Sequence, residues 1–310
     1  MHAIEIQDLC KSYAVGFFRK QLRPALHSLN LIIESGETFG FLGPNGAGKT
    51  TTLKLLMGLI FPTAGSAKIL GKDCLDPEVK RRIGFLPEQP YFYDYLSAPE
   101  LLDYYAQLSG VASVNRKQRI ADLLARVGLG DVGKLHLRKF SKGMLQRVGI
   151  AQAIVHDPEV IFLDEPMSGL DPLGRHEVRE LIQGLKDDGK TIFFSTHILS
   201  DAEALCDRVA VIHKGELRGV GVVNDLRSSI ADKTEVIWQG ASVLSAVSGL
   251  LSESHVTGDT VRATVAAAGL DTLLEKLRLQ RARLISVTPL QGTLEEYFLS
   301  KTLEQEAVKA

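Results

Sequence analysis

The chain has 310 residues, enough for two domains and a sizeable core. Hydrophobic residues make up 45%, and 36 basic residues stand against 37 acidic ones. That composition excludes wholesale disorder and gives no general reason to expect nucleic acid as a partner. Cys10, Cys74 and Cys206 are odd in number and far apart, which speaks against a disulfide framework or a cysteine metal site and fits a reducing compartment. No apolar run approaches the roughly 18 residues that cross a bilayer. The opening residues lack the basic-then-apolar layout of a signal peptide, so the chain is expected to be soluble.

Residues 3–9 and 28–34 alternate apolar and polar positions in part and predict two strands. Between them, the aromatic and basic stretch from Val15 to Pro24 reads as a loop. It is either a hairpin excursion or a surface that meets a membrane or a partner. Thr38–Leu42 predicts a short buried strand, and Thr51 to Leu59 a helix ended by Phe61-Pro62. Between strand and helix lies Gly43-Pro44-Asn45-Gly46-Ala47-Gly48-Lys49-Thr50, with Thr51 next. A strand, a glycine-rich loop and a helix in that order make a phosphate-binding loop. Gly43, Gly46 and Gly48 let the backbone curl, so that N–H groups point at phosphate oxygens. The helix adds its positive end, Lys49 can reach the β- and γ-phosphates, and Thr50 can present a hydroxyl to Mg²⁺.

From about Tyr91 to Val155 the pattern turns helical. Pro99 opens one helix, where its missing N–H does little harm, and Ile120 to Val127 predicts another. Asp157-Pro158 ends the block, and strand-like runs return at Val160–Leu163, Thr191–Ser195 and Arg208–His213. Strands alternating with helices imply a mainly parallel sheet, with residues 90–155 as a helical insertion. After Val223 the motifs stop. Residues 224–310 read as a separate small α+β domain: strands at Glu235–Trp238, Thr260–Val265 and Leu284–Val287, a helix at Leu270–Leu277, and a terminal helix starting at Glu295–Phe298. No acid, base or metal-ligand cluster stands out in it.

Asp164 and Glu165 follow the apolar run Val160–Leu163, at the sheet edge where such folds bind ligands. Taken alone, such a pair also reads as solvated acids. Its company is more specific. Lys49 lies 115 residues earlier, and Gln89 ends Phe85-Leu86-Pro87-Glu88-Gln89. Phe140-Ser141-Lys142-Gly143-Met144 places Ser141 23 residues before Asp164. Ser168-Gly169-Leu170-Asp171 comes next, and Thr196-His197 places His197 32 residues after Glu165.

This ordered set, over roughly residues 3–220, resembles the ATP-binding cassette (ABC) ATPases. The resemblance implies an α/β fold: a P-loop core with a mainly parallel sheet, an antiparallel β subdomain and a helical insertion, in residues 1–223. It implies ATP and Mg²⁺ as ligands. Lys49 and the loop Gly43–Thr51 would hold the phosphates, and Thr50, Asp164 and Gln89 would serve the metal. Glu165 would be the general base, Gln89 would also reach the attacking water, and His197 would contact the γ-phosphate. Tyr13 matches the aromatic that stacks on adenine, and it reads equally as a packed strand tyrosine. Ser141 and Gly143 would face the nucleotide held by a second subunit, and Asp171 would communicate across that dimer. The family pattern Leu-Ser-Gly-Gly-Gln is altered here: Lys142 replaces its first glycine and Met144 its glutamine.

The reading that follows is an ATPase subunit, one of an expected homodimer, that powers an exporter whose integral membrane permease is a separate chain. It would sit in the cytoplasm, on the inner face of the membrane through that permease, and nucleic acid is not an expected partner. The alternative is a non-transport ABC ATPase acting on ribosomes or DNA. Such relatives carry two cassettes, long coiled coils or zinc modules; this sequence has one phosphate loop and no cysteine pairs.

Overall fold

The computed structural model describes residues 2–16, 21–228 and 233–290. They fall into two units, Met1–Gly221 and Val222–Ala310. The first runs β1 (His2–Val15), β2 (Gln21–Glu34), β3 (Thr38–Leu42), α1 (Lys49–Leu56), β4 (Ala64–Ile69), β5 (Lys72–Asp73), α2 (Pro77–Lys80) and β6 (Ile83–Leu86). It continues through α3 (Ala98–Leu108), α4 (Ser113–Arg126), α5 (Lys142–Ile154), β7 (Val160–Asp164), α6 (Pro172–Asp187), β8 (Thr191–Thr196), α7 (Leu199–Leu205), β9 (Arg208–His213) and β10 (Glu216–Val222).

Its antiparallel sheet has the order β2-β1-β4-β5. The β1–β2 ladder extends from His2↔Glu34 to Val15↔Gln21, so much of the stretch expected to be a loop is strand. Gly16 lies beyond the end of β1, and Phe17 to Lys20 lie outside the described residues. Pro24 is tolerated because β2 is an edge strand, whose outer side needs no N–H. The ladder shifts register near Asp8, where Asp8 and Ser28 adopt positive φ (46° and 37°). Asp8 Oδ1 accepts hydrogen bonds there from Ser28 Oγ (2.8 Å) and Asn30 Nδ2 (2.9 Å).

The second sheet, β10-β9-β3-β8-β7-β6, positions the site. β3 pairs in parallel with β8 and β9, and β7 with β8 and β6. Every residue of β3, β7 and β8 is buried, which explains why these strands read as continuous apolar runs rather than alternating ones. Phe193 sits between Phe39 (5.9 Å), Phe41 (5.4 Å) and Phe162 (5.8 Å) in the core. At the carboxyl edge the register aligns Leu42 with Thr196 and Asp164 with Ser195.

The helices differ from expectation at their ends. α1 begins at Lys49 and stops at Leu56, short of Leu59, because Gly58 at φ 61° turns the chain out of the helix. α3 starts with a capping box: the Glu100 carboxylate accepts from Ser97 N (2.8 Å) and Ser97 Oγ (2.6 Å). α4 starts at Ser113, well before Ile120. Its first two turns are polar, and only Ile120, Leu123 and Leu124 are buried.

The second unit comprises α8 (Val223–Ser228), β11 (Lys233–Gln239), α9 (Leu244–Val247), β12 (Leu251–Thr257), β13 (Thr260–Ala266), α10 (Leu270–Leu279) and β14 (Arg283–Leu290). Its antiparallel sheet has the order β12-β13-β11-β14. Val236, Trp238, Val261, Val265 and Leu273 form its core. α10 and β14 run beyond their expected ends. β12 carries no pattern to announce it: almost every side chain of this edge strand is exposed. The helix expected from Glu295 lies outside the described residues.

Candidate functional site

The loop between β3 and α1 is held by close backbone contacts that only glycine permits. A Cβ on Gly43 would lie 2.3 Å from the carbonyl oxygen of Ile212, and one on Gly48 2.8 Å from that of Ala25. Gly48 also has φ 112°, and Gly46 has φ 79° in open space. Ala47 O accepts from Gly215 N (2.9 Å), which ties the loop to the β9–β10 turn. Lys49, Thr50 and Thr51 open α1, so their N–H groups have no carbonyl one turn earlier. They line a pocket of 310 Å³, together with Asn45, Gly46, Gly48, Glu165, Ala25 and Glu88. A concave nest of free N–H groups at the positive end of a helix suits a polyanion.

Charged groups converge on the same pocket. Lys49 Nζ donates to Gly43 O (2.7 Å) and Pro44 O (3.3 Å) and lies 3.1 Å from Glu165 Oε1. Both side chains are less than a tenth exposed. The other carboxylate oxygen, Oε2, accepts from His197 Nδ1 at 2.8 Å, which places the ring proton on Nδ1. Glu165 has φ 49°, a left-handed conformation for a non-glycine residue. Such strain costs on the order of 1–3 kcal/mol and concentrates at functional sites. Its N–H is held by Ser195 O (3.1 Å) and Ser195 Oγ (3.2 Å).

Asp164 is buried beside it. Burial pushes its carboxyl above the usual aspartate range, and hydrogen bonds from Ser195 (2.6 Å) and Thr50 pull it back down. Neighbouring Glu165 raises it further, and Lys49 lowers it. Thr50 and Asp164 are the oxygen donors here that could hold a hard divalent cation. No cluster of three or more histidine, cysteine or acidic residues with metal-holding geometry occurs among the described residues. Such a cation would therefore draw further ligands from bound phosphates and water.

The structure thus brings together Lys49, Thr50, Thr51, Asp164, Glu165 and His197. It does not bring Gln89 into the pocket. Glu88 lines it, whereas Gln89 is exposed and its Oε1 accepts from Tyr91 Oη at 3.2 Å. Tyr13 does not line it either. Tyr13 lies on β1, 38% exposed, with Lys11 Nζ 5.2 Å over its ring, and Ala25 takes a place in the pocket wall. Ser141 caps α5, accepting from Met144 N (3.2 Å), and Gly143 follows in that first turn. Asp171 caps α6, accepting from Gly174 N (3.0 Å). None of these three lines the pocket of its own chain. Sequence reasoning missed Ser195, Glu88 and Ala25. Ser195 follows the apolar run Ile192–Phe194, and its role comes from the cross-strand pairing with Asp164 that only the structure shows. A larger cavity of 660 Å³ against α4, lined by Arg119, Arg126, His156 and Lys190 among others, has no comparable nest.

Comparison with known proteins places this geometry. A family described as "ABC transporter" matches residues 26–168. An ABC transporter ATP-binding protein of Synechocystis is 43% identical over 309 residues, covering 98% of this chain and 86% of that protein. The bacitracin transport ATP-binding protein of Bacillus licheniformis is 44% identical over 217 residues, 69% of this chain and 68% of its own length. Among solved structures, a dimeric ATP-binding cassette in a post-hydrolysis state with ADP and Pi aligns with TM-score 0.64. It is 27% identical and covers 71% of this chain and 98% of its own. A relative that matches nearly the whole of this chain, together with a phosphate loop and paired acids on one sheet edge, leaves one family: the chain belongs to the ABC transporter ATPases, as an ATP-hydrolysing subunit that powers a transporter.

Proposed function

We propose that two copies of this chain close around two Mg-ATP and drive a separate integral membrane permease in the export direction. The observation that carries this reading is the division of the motif set. Lys49, Thr50 and Glu165 line one pocket, with His197 bonded to Glu165 and Asp164 bonded to Thr50 beside it, while Ser141 and Gly143 stand at the start of α5 and do not line it. Ser141 and Gly143 would then serve the nucleotide held by another copy. The dimeric state of the ADP-bound relative supports the same arrangement.

Within each site, Lys49 leaves Glu165 for the β- and γ-phosphates as ATP enters the N–H nest. Thr50 and Asp164 would hold Mg²⁺, which would supply positive charge against the phosphates. Glu165, freed of Lys49 and oriented by His197, takes a proton from the attacking water. Ser141 of the other copy covers the γ-phosphate from the far side. Once hydrolysis is complete and phosphate has left, that shared ligand is gone and the copies part.

Among the described residues no helix is long and apolar enough to cross a membrane, so the pore is assigned to another polypeptide. The chain would act in the cytoplasm, on the inner face of the membrane, with a permease segment docked near Tyr91–Gly110. The similarity to a bacitracin transport protein supports transport of a cargo, and export is the direction this reading gives it. Residues 224–310 would steady the pair between cycles and perform no chemistry. Reconstitution with the partner permease tests this. ATP-dependent efflux that is lost in Lys49→Ala is the expected result; ATP-driven uptake, or flux indifferent to Lys49→Ala, contradicts it.

A further inference from the structure

Lys142 stands where the rules of helix building disfavour it. It is the first residue of α5, directly after the Ser141 cap, and the first turn of that helix holds no acid. The N-terminal end of a helix is its positive end, so a lysine there is repelled. Nothing else in the fold holds it. The side chain is exposed, and among the described residues it has no hydrogen-bond or ion-pair partner. Arg147, on the same helix, is by contrast fixed by Val127 O (3.0 Å), Gly128 O (3.3 Å) and Glu177 (3.5 Å). A residue that breaks a local rule with no compensating contact points to function.

The lysine stem lies over a glycine. A Cβ on Gly169 would stand 2.2 Å from Lys142 Nζ, 3.4 Å from Cε and 3.9 Å from Cδ, and Gly169 has φ 66°. The backbone on either side of Gly169 is pinned. Ser168 N–H donates to Glu165 O (3.0 Å), Arg175 Nε–H donates to Leu170 O (3.3 Å), and Asp171 caps α6. The lysine is the part free to move. Its ammonium thus rests on the segment that leads from Glu165 to Asp171, while its Cα sits between Ser141 and Gly143.

We propose that Lys142 is a catalytic residue that acts across the pair: when two copies close, its ammonium leaves Gly169 and binds the γ-phosphate of the ATP held by the other copy. This deepens the two-copy reading above and depends on it. Among the described residues Lys49 is the only lysine that lines the pocket, and it already faces Glu165 at 3.1 Å. A second cation would stabilise the charge that spreads over the oxygens of the transferring phosphoryl group. A flexible four-carbon stem lets the ammonium follow that charge. Glycine, which the family pattern has at this position, offers no side chain for the task, so Lys142 adds a charge to the shared site.

The full chain carrying Glu165→Gln tests it without turnover. Adding Lys142→Met should raise the dissociation constant of the Mg-ATP dimer by at least about tenfold, as loss of a charge-assisted hydrogen bond entails. Lys142→Arg keeps the charge and should stay within about threefold. The affinity of the dilute single chain for ATP should be the same in all three. With Glu165 intact, Lys142→Met should lower kcat by at least about tenfold. Mixed pairs in the Glu165→Gln background give the direction: one chain carries Lys49→Ala and cannot hold ATP, and the other can. Lys142→Met should weaken the pair when it is on the Lys49→Ala chain, and leave it unchanged when it is on the chain that holds ATP. An unchanged dimer, equal losses in Lys142→Met and Lys142→Arg, or a loss that follows the ATP-holding chain overturns the proposal. A Glu165→Gln chain that stays monomeric with Mg-ATP would instead overturn the two-copy reading on which it rests.

Discussion

Ser195 Oγ donates a 2.6 Å hydrogen bond to Asp164 Oδ1 across a register pair of the parallel sheet. The same oxygen receives the N–H of Glu165 at 3.2 Å. One hydroxyl therefore orients both acids of the site. Ser195→Ala should cost about 1–3 kcal/mol of stability, the range for a buried polar group left unpaired. It should also act on Mg²⁺ use. Burial already raises the Asp164 carboxyl, and the Ser195 bond favours its charged form. Losing the bond raises it further, so a proton competes with the metal at higher pH. The mutant should need more Mg²⁺ at half-saturation, and its ATPase should fall away at a higher pH than wild type as the solution is acidified. Identical Mg²⁺ titrations at two acidic pH values would remove Ser195 from the site.

The phosphate loop should respond to alanine according to what each glycine faces. Gly43→Ala puts a methyl 2.3 Å from a backbone carbonyl that cannot move aside, so the variant should lose most of its thermal stability or fail to fold. Gly46→Ala meets nothing within 4 Å and bears only the strain of its positive φ, on the order of 1–2 kcal/mol. It should fold, with a modestly lower Tm. Equal losses in the two variants, read by calorimetry, would contradict the contact described.

Trp238 is the only tryptophan of the chain, and it is fully buried in the core of the second unit. Its fluorescence in urea should report that unit alone. Saturating Mg-ATP at about a hundred times Kd should add ~2.7 kcal/mol to the unit that carries the phosphate loop. The far-ultraviolet transition of that unit should shift while the tryptophan midpoint stays. A chain ended after Val223 should still bind ATP. A tryptophan midpoint that follows ATP would show that the two units unfold together.

Legibility in the sequence tracked burial. β3, β7 and β8 are buried on both faces and stood out as apolar runs, and with them came the positions of Lys49, Asp164, Glu165 and His197. Polar elements were hidden. The first turns of α4 and nearly all of β12 face water, so no period of apolar residues marks them. Gln21–Pro24 reads as loop because proline and charge are penalised in strands, yet the edge strand β2 accepts both. Within the site, motif spacing found the charged residues and could not say which way Gln89 turns. In the structure its Oε1 accepts from Tyr91, a neighbour outside every motif. Ser195 escaped because its importance lies in a cross-strand pairing rather than in its own surroundings in sequence.

The central claim is that Glu165 consumes ATP in a site that two copies complete. Glu165→Gln tests it most directly, because the amide keeps the shape and loses the basicity. Light scattering of the mutant with Mg-ATP, alongside phosphate release, is the measurement. The account predicts a dimer with ATP, a monomer with ADP, and turnover reduced by at least about a hundredfold, as loss of a general base entails. A mutant that stays monomeric with ATP and turns over near the wild-type rate would contradict it.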